Sequence, residues 1–288
     1  MRRASAIEEE AAQIETVKDL TGVFESIAST QVAKVKNKVE LSKEFFRLLW
    51  KRYSALRIDP NARITGRDRS VGAAEKPNVF VIISAEAGLS GDIDQRLVNT
   101  MLKDYDSQTT DIVVLGSHGA SQLKQRDIPY VRFFQVPESD SYIDVSPVID
   151  AVYPYSRIVV YYEEYASLGV QNIKTIDLIS SIQEMSEDAE EDVITDQDTI
   201  FEPSIDYIAD QMEMNMMTLA LSQTILESSL AQSASRFNAM ALAKDTAGNL
   251  LKDYNLEYHR AKRSESDRRM REILVSLKKK KRSKKGRR

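Results

Sequence analysis

Apolar positions at the start of the chain recur with a helical period. Ile7, Ile14, Thr21, Ala28 and Val35 stand one heptad apart, Val17, Phe24 and Gln31 form a second seam, and Leu20 and Ile27 lie beside it. This spacing predicts one coiled-coil-like helix over 4–57, about 80 Å long. Asp59-Pro60 ends it, because proline disfavours helix in the residue before it. Residues 60–76, with Gly66 and Gly72 among scattered charges, read as a surface linker. The period then changes. Val79–Ile83, Ile112–Leu115 and Ile158–Tyr162 are continuous apolar runs, as strands buried on both faces require. A helical stretch at 92–105 lies between the first two. Strand–helix alternation predicts a small α/β domain over 77–203, with helices against a mostly parallel sheet.

From Ser204 to Leu277 the helical spacing returns. Leu226, Ser233, Met240, Ala247, Tyr254 and Ala261 make one seam, and Leu230, Phe237, Lys244, Leu251 and Tyr258 make the other. A helix over 204–277 is about 110 Å long, too long for a compact domain of this size. The α/β insert puts the end of the first helix near the start of the second, so the two are expected to pair antiparallel. Ser233, Lys244 and the alanines make a weak seam for an isolated dimer and suit a shaft enclosed by other subunits.

Composition sharpens this division. No proline precedes Pro60 or follows Pro203, so turn formers are concentrated in the middle. The absence of cysteine excludes disulfides, thiolate metal sites and cysteine nucleophiles. No run of 18 apolar residues is present to form a transmembrane helix, and the first residues, acidic by Glu8-Glu9-Glu10, hold no signal-peptide core. The net charge of −4 hides an asymmetry: 278–288 carries nine Lys/Arg and no acid. Residues 184–198 hold eight acids and read as a solvated loop without EF-hand spacing.

The residues offer little for catalysis. Ala87-Gly88-Leu89-Ser90-Gly91-Asp92 follows the first strand and opens a helix, where a phosphate could sit. It lacks the GxGxxG fingerprint, the P-loop lysine and the G-x-S-x-G elbow, so a tight strand-to-helix turn is the simpler reading. His118 follows the second strand and His259 lies on the long helix, too far apart in sequence to suggest a metal site. Met212, Met214, Met216 and Met217 are expected to pack against the first helix or the α/β domain. The basic tail 278–288 would attract polyanions but has no aromatics to stack on bases.

These features together resemble the γ subunits of F-type ATP synthases. Arg236-Phe237-Asn238-Ala239-Met240, then Ala243 to Ala247, follow the family's Arg-Met-x-Ala-Met and Ala-Thr-x-Asn-Ala. The family's Leu-x-Leu-x-Tyr-Asn-x-x-Arg-Gln falls on Tyr254, Leu256, Tyr258, His259, Lys262 and Arg263, and its closing Glu-Ile on Glu272-Ile273. Phe201-Glu202-Pro203 matches the motif that introduces the second long helix. Ser84 to Gly91 is similar to the turn Ser-Asp-Arg-Gly-Leu-Cys-Gly, with Ser90 in place of Cys. Val17-Lys18 and Ala33-Lys34 match the ends of the first signature.

The resemblance implies an α/β fold: a Rossmann-like domain inserted between the helices of a long antiparallel coiled coil. It also implies a non-catalytic rotor with no cofactor and no metal. The implied partners are the α and β subunits of the catalytic hexamer, the ε subunit and the membrane c-ring, with indirect association to the cytoplasmic face of a bacterial-type plasma membrane. Gly88, Leu89, Ser90 and Gly91, and Lys262, Arg263 and Asp267 at the family's catch position, are the implied β-subunit contacts. Two other readings stand beside this one: a nucleotide- or substrate-binding enzyme built on the α/β insert, and a coiled-coil scaffold whose basic tail binds nucleic acid or lipid.

Overall fold

The computed structural model describes residues 3–55, 76–136, 144–178 and 205–285. Most of the expected linker, the acidic stretch 184–198, Met212 and the Phe201-Glu202-Pro203 match lie outside the described residues or side chains. Among the described residues the elements run α1 (Ala4–Ala55), β1 (Asn78–Ile83), α2 (Ile93–Asp104), β2 (Thr110–Leu115), α3 (Ser117–Lys124), β3 (Arg132–Phe134), α4 (Ser146–Val152), β4 (Arg157–Tyr165), β5 (Gln171–Asp177) and α5 (Ile205–Lys285). Contacts divide the chain into two units, residues 27–239 and residues 1–26 with 240–288, so the boundary falls inside the long helices.

The unit of residues 27–239 is built on a sheet of order β3-β2-β1-β4-β5. β1 pairs in parallel with β2 and β4, β2 pairs in parallel with β3, and β5 closes the other edge antiparallel to β4. Side chains alternate across the sheet. Val79, Val81, Val113, Ile158 and Val160 face one core, which α4 covers with Val148 and Ile149 and α5 with Met216, Met217, Leu221 and Ile225. Phe80, Ile82, Ile112, Val114 and Tyr161 face a second core, closed by Leu97 and Met101 of α2 and Leu123 of α3. Cover on both faces is what the uninterrupted apolar runs anticipate, and each such side chain contributes about 2 kcal/mol on burial. Met216 and Met217 are fully buried and Met214 packs beside them, so the methionine cluster belongs to the sheet core. Further along α5, Leu226 and Leu230 meet Val32, Val35 and Val39 of α1, and Lys43 pairs with Glu227 at 3.0 Å.

The other unit is an antiparallel helix pair. The Ala4 amide donates to Glu265 Oε1 at 3.1 Å, and Lys244 Nζ reaches Glu25 Oε2 at 2.8 Å. On α5 the seam is the expected one, with Met240 and Ala247 buried and Lys244, Leu251, Tyr254, Tyr258 and Ala261 half-buried. On α1 the seam through Ile7, Ile14 and Thr21 is also inward. The second α1 seam requires correction. Val17 and Phe24 are 52% and 39% exposed, while Ala4, Ala11, Lys18 and Glu25 occupy the inward positions. Small residues and long, flexible stems let the helices approach, as where the Lys244 stem lies over Gly22 and Lys18 over Gly248. Bulky side chains at those positions would force the helices apart, and they face outward instead.

A further difference concerns the helix end. The heptad pattern predicts helix to Leu277, but α5 continues through the basic run to Lys285. Lys and Arg have good helix propensity, and cations in a last turn favour the helix dipole.

Gly116 follows β2 at φ 97°, and a Cβ there would lie 2.1 Å from the Ser84 carbonyl oxygen. Gly116→Ala is therefore expected to lower unfolding free energy by about 3 kcal/mol or more, through strain and backbone displacement together. Gly169→Ala, whose Cβ meets nothing within 4 Å, serves as the matched control and is expected to be near neutral in the same urea titration.

Candidate partner-contact turn and helix end

In a doubly wound sheet, ligands bind outside the carboxyl ends of the strands where the strand order reverses. Here that point lies between β1 and β4, and the chain itself fills it. Ser228 Oγ of α5 lies 3.2 Å from the Ile83 carbonyl at the end of β1. Two turns on, Ser235 Oγ donates to the Ser90 carbonyl at 2.6 Å. Arg236 follows it, with Nε donating to the Gly88 carbonyl at 3.0 Å and Nη2 to that of Ala87 at 2.9 Å. Asn238 Nδ2 donates to the Leu168 carbonyl in the β4–β5 hairpin. The crevice that would take a nucleotide is thus occupied by one face of α5.

This docking shapes the Gly88–Gly91 turn. Asp94, nearly fully buried in the first turn of α2, accepts from the Ala85 amide at 2.7 Å and from Ser90 Oγ at 2.9 Å. His118 Nδ1 stands 3.4 Å from the same carboxylate. The hydroxyl of Ser90 is thereby turned inward, and Ser90 is 1% exposed. Leu89 is the opposite case. It adopts φ 69°, a left-handed conformation costing about 1–2 kcal/mol for a residue with a Cβ, and remains 51% exposed. Among the four turn residues, Leu89 is the side chain offered outward. A strained, exposed apolar residue fixed from beneath by hydrogen bonds marks a contact site more strongly than a merely mobile one does.

The neighbouring loops are held in the same way. Ser84 Oγ lies 2.8 Å from the Leu115 carbonyl and accepts from the Gly119 amide at 2.9 Å. Glu86 accepts from the Ser117 amide and hydroxyl. Burial lowers the pKa of the Arg236 guanidinium, opposed by the carboxyl groups of Asp94 and Glu163. Glu163, on β4, is fully buried, and burial first and Asp94 second hold its pKa well above the usual carboxyl range.

Lys262, Arg263 and Asp267 belong to the helix-pair unit, apart from the turn. All three are exposed on α5. The Lys262 ammonium lies 5.3 Å from the centre of the Tyr258 ring and 3.3 Å from its hydroxyl, while the backbone carbonyl of Asp267 accepts from Arg271. Sequence reasoning quoted Arg236 as part of a motif without a role and missed Glu163 altogether. Its signal was an acid directly continuing a buried strand.

The comparisons with known proteins agree with this architecture. The family model described as ATP synthase matches residues 3–277. The ATP synthase gamma chain of Clostridium novyi (strain NT) is 23% identical over 283 residues, covering 93% of this chain and 95% of its relative. The gamma chain of Staphylococcus aureus (strain JH9) is 27% identical over 208 residues, 68% of this chain and 71% of that one. Among solved structures, a chain of the Euglena gracilis mitochondrial ATP synthase OSCP/F1/c-ring superposes with a TM-score of 0.67 at 15% identity, covering 95% of this chain and 94% of the other. A chain of the Tetrahymena thermophila central stalk and c-ring gives 0.57 at 16% identity, covering 78% and 99%. With a family match over nearly its whole length, a Rossmann-type sheet whose ligand crevice is closed by its own helix, and an antiparallel helix pair, the chain belongs to the ATP synthase family as a gamma chain.

Proposed function

We propose that the chain is the non-catalytic central-stalk rotor of an F-type ATP synthase, turning within a hexamer of α and β subunits. The observation that carries this reading is the outward face of the helix pair. Its seam buries Ile7 and Met240 among small and polar residues, yet Val17, Leu20 and Val23 on α1 and Leu256 on α5 are each more than half exposed, as are Ile273 and Leu274 where α5 runs on past its contact with Ala4. Apolar surface on that scale marks a protein interface. A sleeve of surrounding subunits would cover it while letting the helices turn.

Mechanically, such a rotor performs no bond chemistry. Its asymmetric surface favours a different conformation in each β subunit, so rotation shifts which state is populated. Leu89 in the turn and Lys262, Arg263 and Asp267 on α5 are the residues we assign to the β subunits. The ε subunit and the c-ring are the assigned partners toward the membrane. The gamma chains' complex is membrane-associated, and we place this chain at the cytoplasmic face of a bacterial-type plasma membrane. Attachment is through those partners, since among the described residues no helix is long and apolar enough to cross a membrane.

Co-expression with cognate α and β subunits tests the assignment. One copy of this chain per hexamer is expected, with ATPase activity that depends on its presence. A hexamer of full activity that excludes the chain would refute it. In the complete membrane-bound complex with ε subunit and c-ring, replacing Lys262 and Arg263 together by Ala is expected to reduce ATP-driven proton pumping about two- to fivefold, because exposed charges each contribute about 0–1 kcal/mol. Deleting 278–288, by contrast, is expected to leave assembly and ATPase activity largely intact, as pumping and activity assays on the same preparations would show.

A further inference from the structure

We propose that Glu163 is a positioning residue, carried as a neutral acid whose proton keeps α5 seated on the sheet edge and so fixes the Ala87–Gly91 turn. The argument begins with counting hydrogens. Ser228 Oγ accepts from Gln232 Nε2 at 3.1 Å, lies 3.2 Å from the Ile83 carbonyl and lies 3.3 Å from Glu163 Oε2. A hydroxyl has one hydrogen to give and two lone pairs to accept with. With an ionised Glu163, the Ile83 carbonyl and the carboxylate would compete for that hydrogen, and the other side-chain donor to the carboxyl group is the Gln232 amide. Among the described residues, Glu163 Oε1 has no donor at all. A proton on Oε2 resolves the arrangement: Glu163 donates to Ser228, Ser228 passes its own hydrogen to Ile83, and Gln232 fills the second lone pair. What remains is an unpaired carbonyl oxygen, far cheaper to bury than an unpaired charge.

The surroundings support the neutral form. Glu163 is 0% exposed. Asp94 on α2 faces it with like charge, and His118 on α3 stands against Asp94. Arg96 on α2 and Arg236 on α5 oppose that field, but Arg236 is committed to the Ala87 and Gly88 carbonyls. Glu164 and Tyr162 flank the residue on β4, and Glu227, next to Ser228 on α5, acts on Tyr162. Burial, then Asp94, raises the carboxyl's pKa, and Gln232, Ser228 and Arg96 offset this only in part. The folded state therefore holds the proton more tightly than the unfolded chain. Stability from this site is full below the ordinary glutamate range and is lost as pH rises toward the raised folded value. Ionisation would place a charge under α5 two turns before Arg236, loosening the clasp on the turn.

The test uses the full chain, which has no cysteine, with a spin label on Leu89→Cys. As the pH is raised above the ordinary glutamate range, the label is expected to gain mobility in a transition of about one proton. Glu163→Gln, whose amide can donate to Ser228 as the acid does, should stay rigid throughout, and Glu163→Ala should be mobile throughout. Infrared difference spectra supply a second readout: a protonated-carboxyl band that persists in the folded chain above the ordinary glutamate range and shifts in Ser228→Ala, which keeps the acid and removes its partner. An unchanged pH transition in Glu163→Gln, or loss of that band from the folded wild-type chain within the ordinary glutamate range, would overturn the proposal.

Discussion

The seating of α5 on the sheet is the contact from which the other features of residues 27–239 follow. One uninterrupted helix meets two different chemistries in succession. Met216 to Ile225 meet the apolar face of the sheet, and Ser228 to Arg236 meet the carbonyls at its carboxyl edge. The first segment supplies most of the stabilisation, by burial. The second supplies geometry, because hydrogen bonds to the Ala87, Gly88 and Ser90 carbonyls leave the turn a single shape. That shape holds Leu89 outward at φ 69° and draws the Ser90 hydroxyl inward to Asp94. The same seating closes the crevice in which a doubly wound sheet ordinarily holds its ligand. A topology suited to binding a nucleotide has become a mount for a helix.

The helix pair follows a different rule. Its inward positions on α1 include Ala4, Ile7, Ala11, Lys18 and Glu25, a seam too poor in large apolar groups to stabilise an isolated pair strongly. The Lys244–Glu25 ion pair is partly exposed and contributes at most about 1 kcal/mol. Ile7 and Met240 are buried in the seam, but Val17, Leu20, Val23 and Phe24 point away from the partner helix. That distribution is unfavourable for a free coiled coil and sensible for one that gains its remaining burial from a surrounding sleeve. A surface that must slide past its neighbours benefits from apolar contact without interlocking polar bonds, since each such bond would have to break during rotation.

Much of this was legible in the sequence, for definite reasons. The three central strands announced themselves because both faces are covered, and the α5 seam because its heptads are regular. β3 and β5 did not. Arg132–Phe134 is too short for a pattern, and Gln171–Asp177 is a largely polar edge strand. The second α1 seam was misread because bulk drew attention to Val17 and Phe24, whereas close helix approach selects Ala4 and Ala11. The turn between β1 and α2 was legible from its glycines, but the directions of its side chains were not: Leu89 is exposed, and the Ser90 hydroxyl turns in to Asp94 through contacts that no local pattern encodes. Arg236 and Gly88 are 148 residues apart, so no local pattern could reveal the clasp that joins them.

The central claim is that this chain turns as a unit against a stationary ring. A cysteine at exposed Asp106, in the loop before β2, would carry a bead or gold rod on a complex immobilised through its α or β subunits. With ATP supplied, the account predicts unidirectional rotation of the probe in three steps per turn, one for each β subunit, with stepping rate following ATP concentration. ATP hydrolysis at an undiminished rate while the probe stays fixed would contradict it.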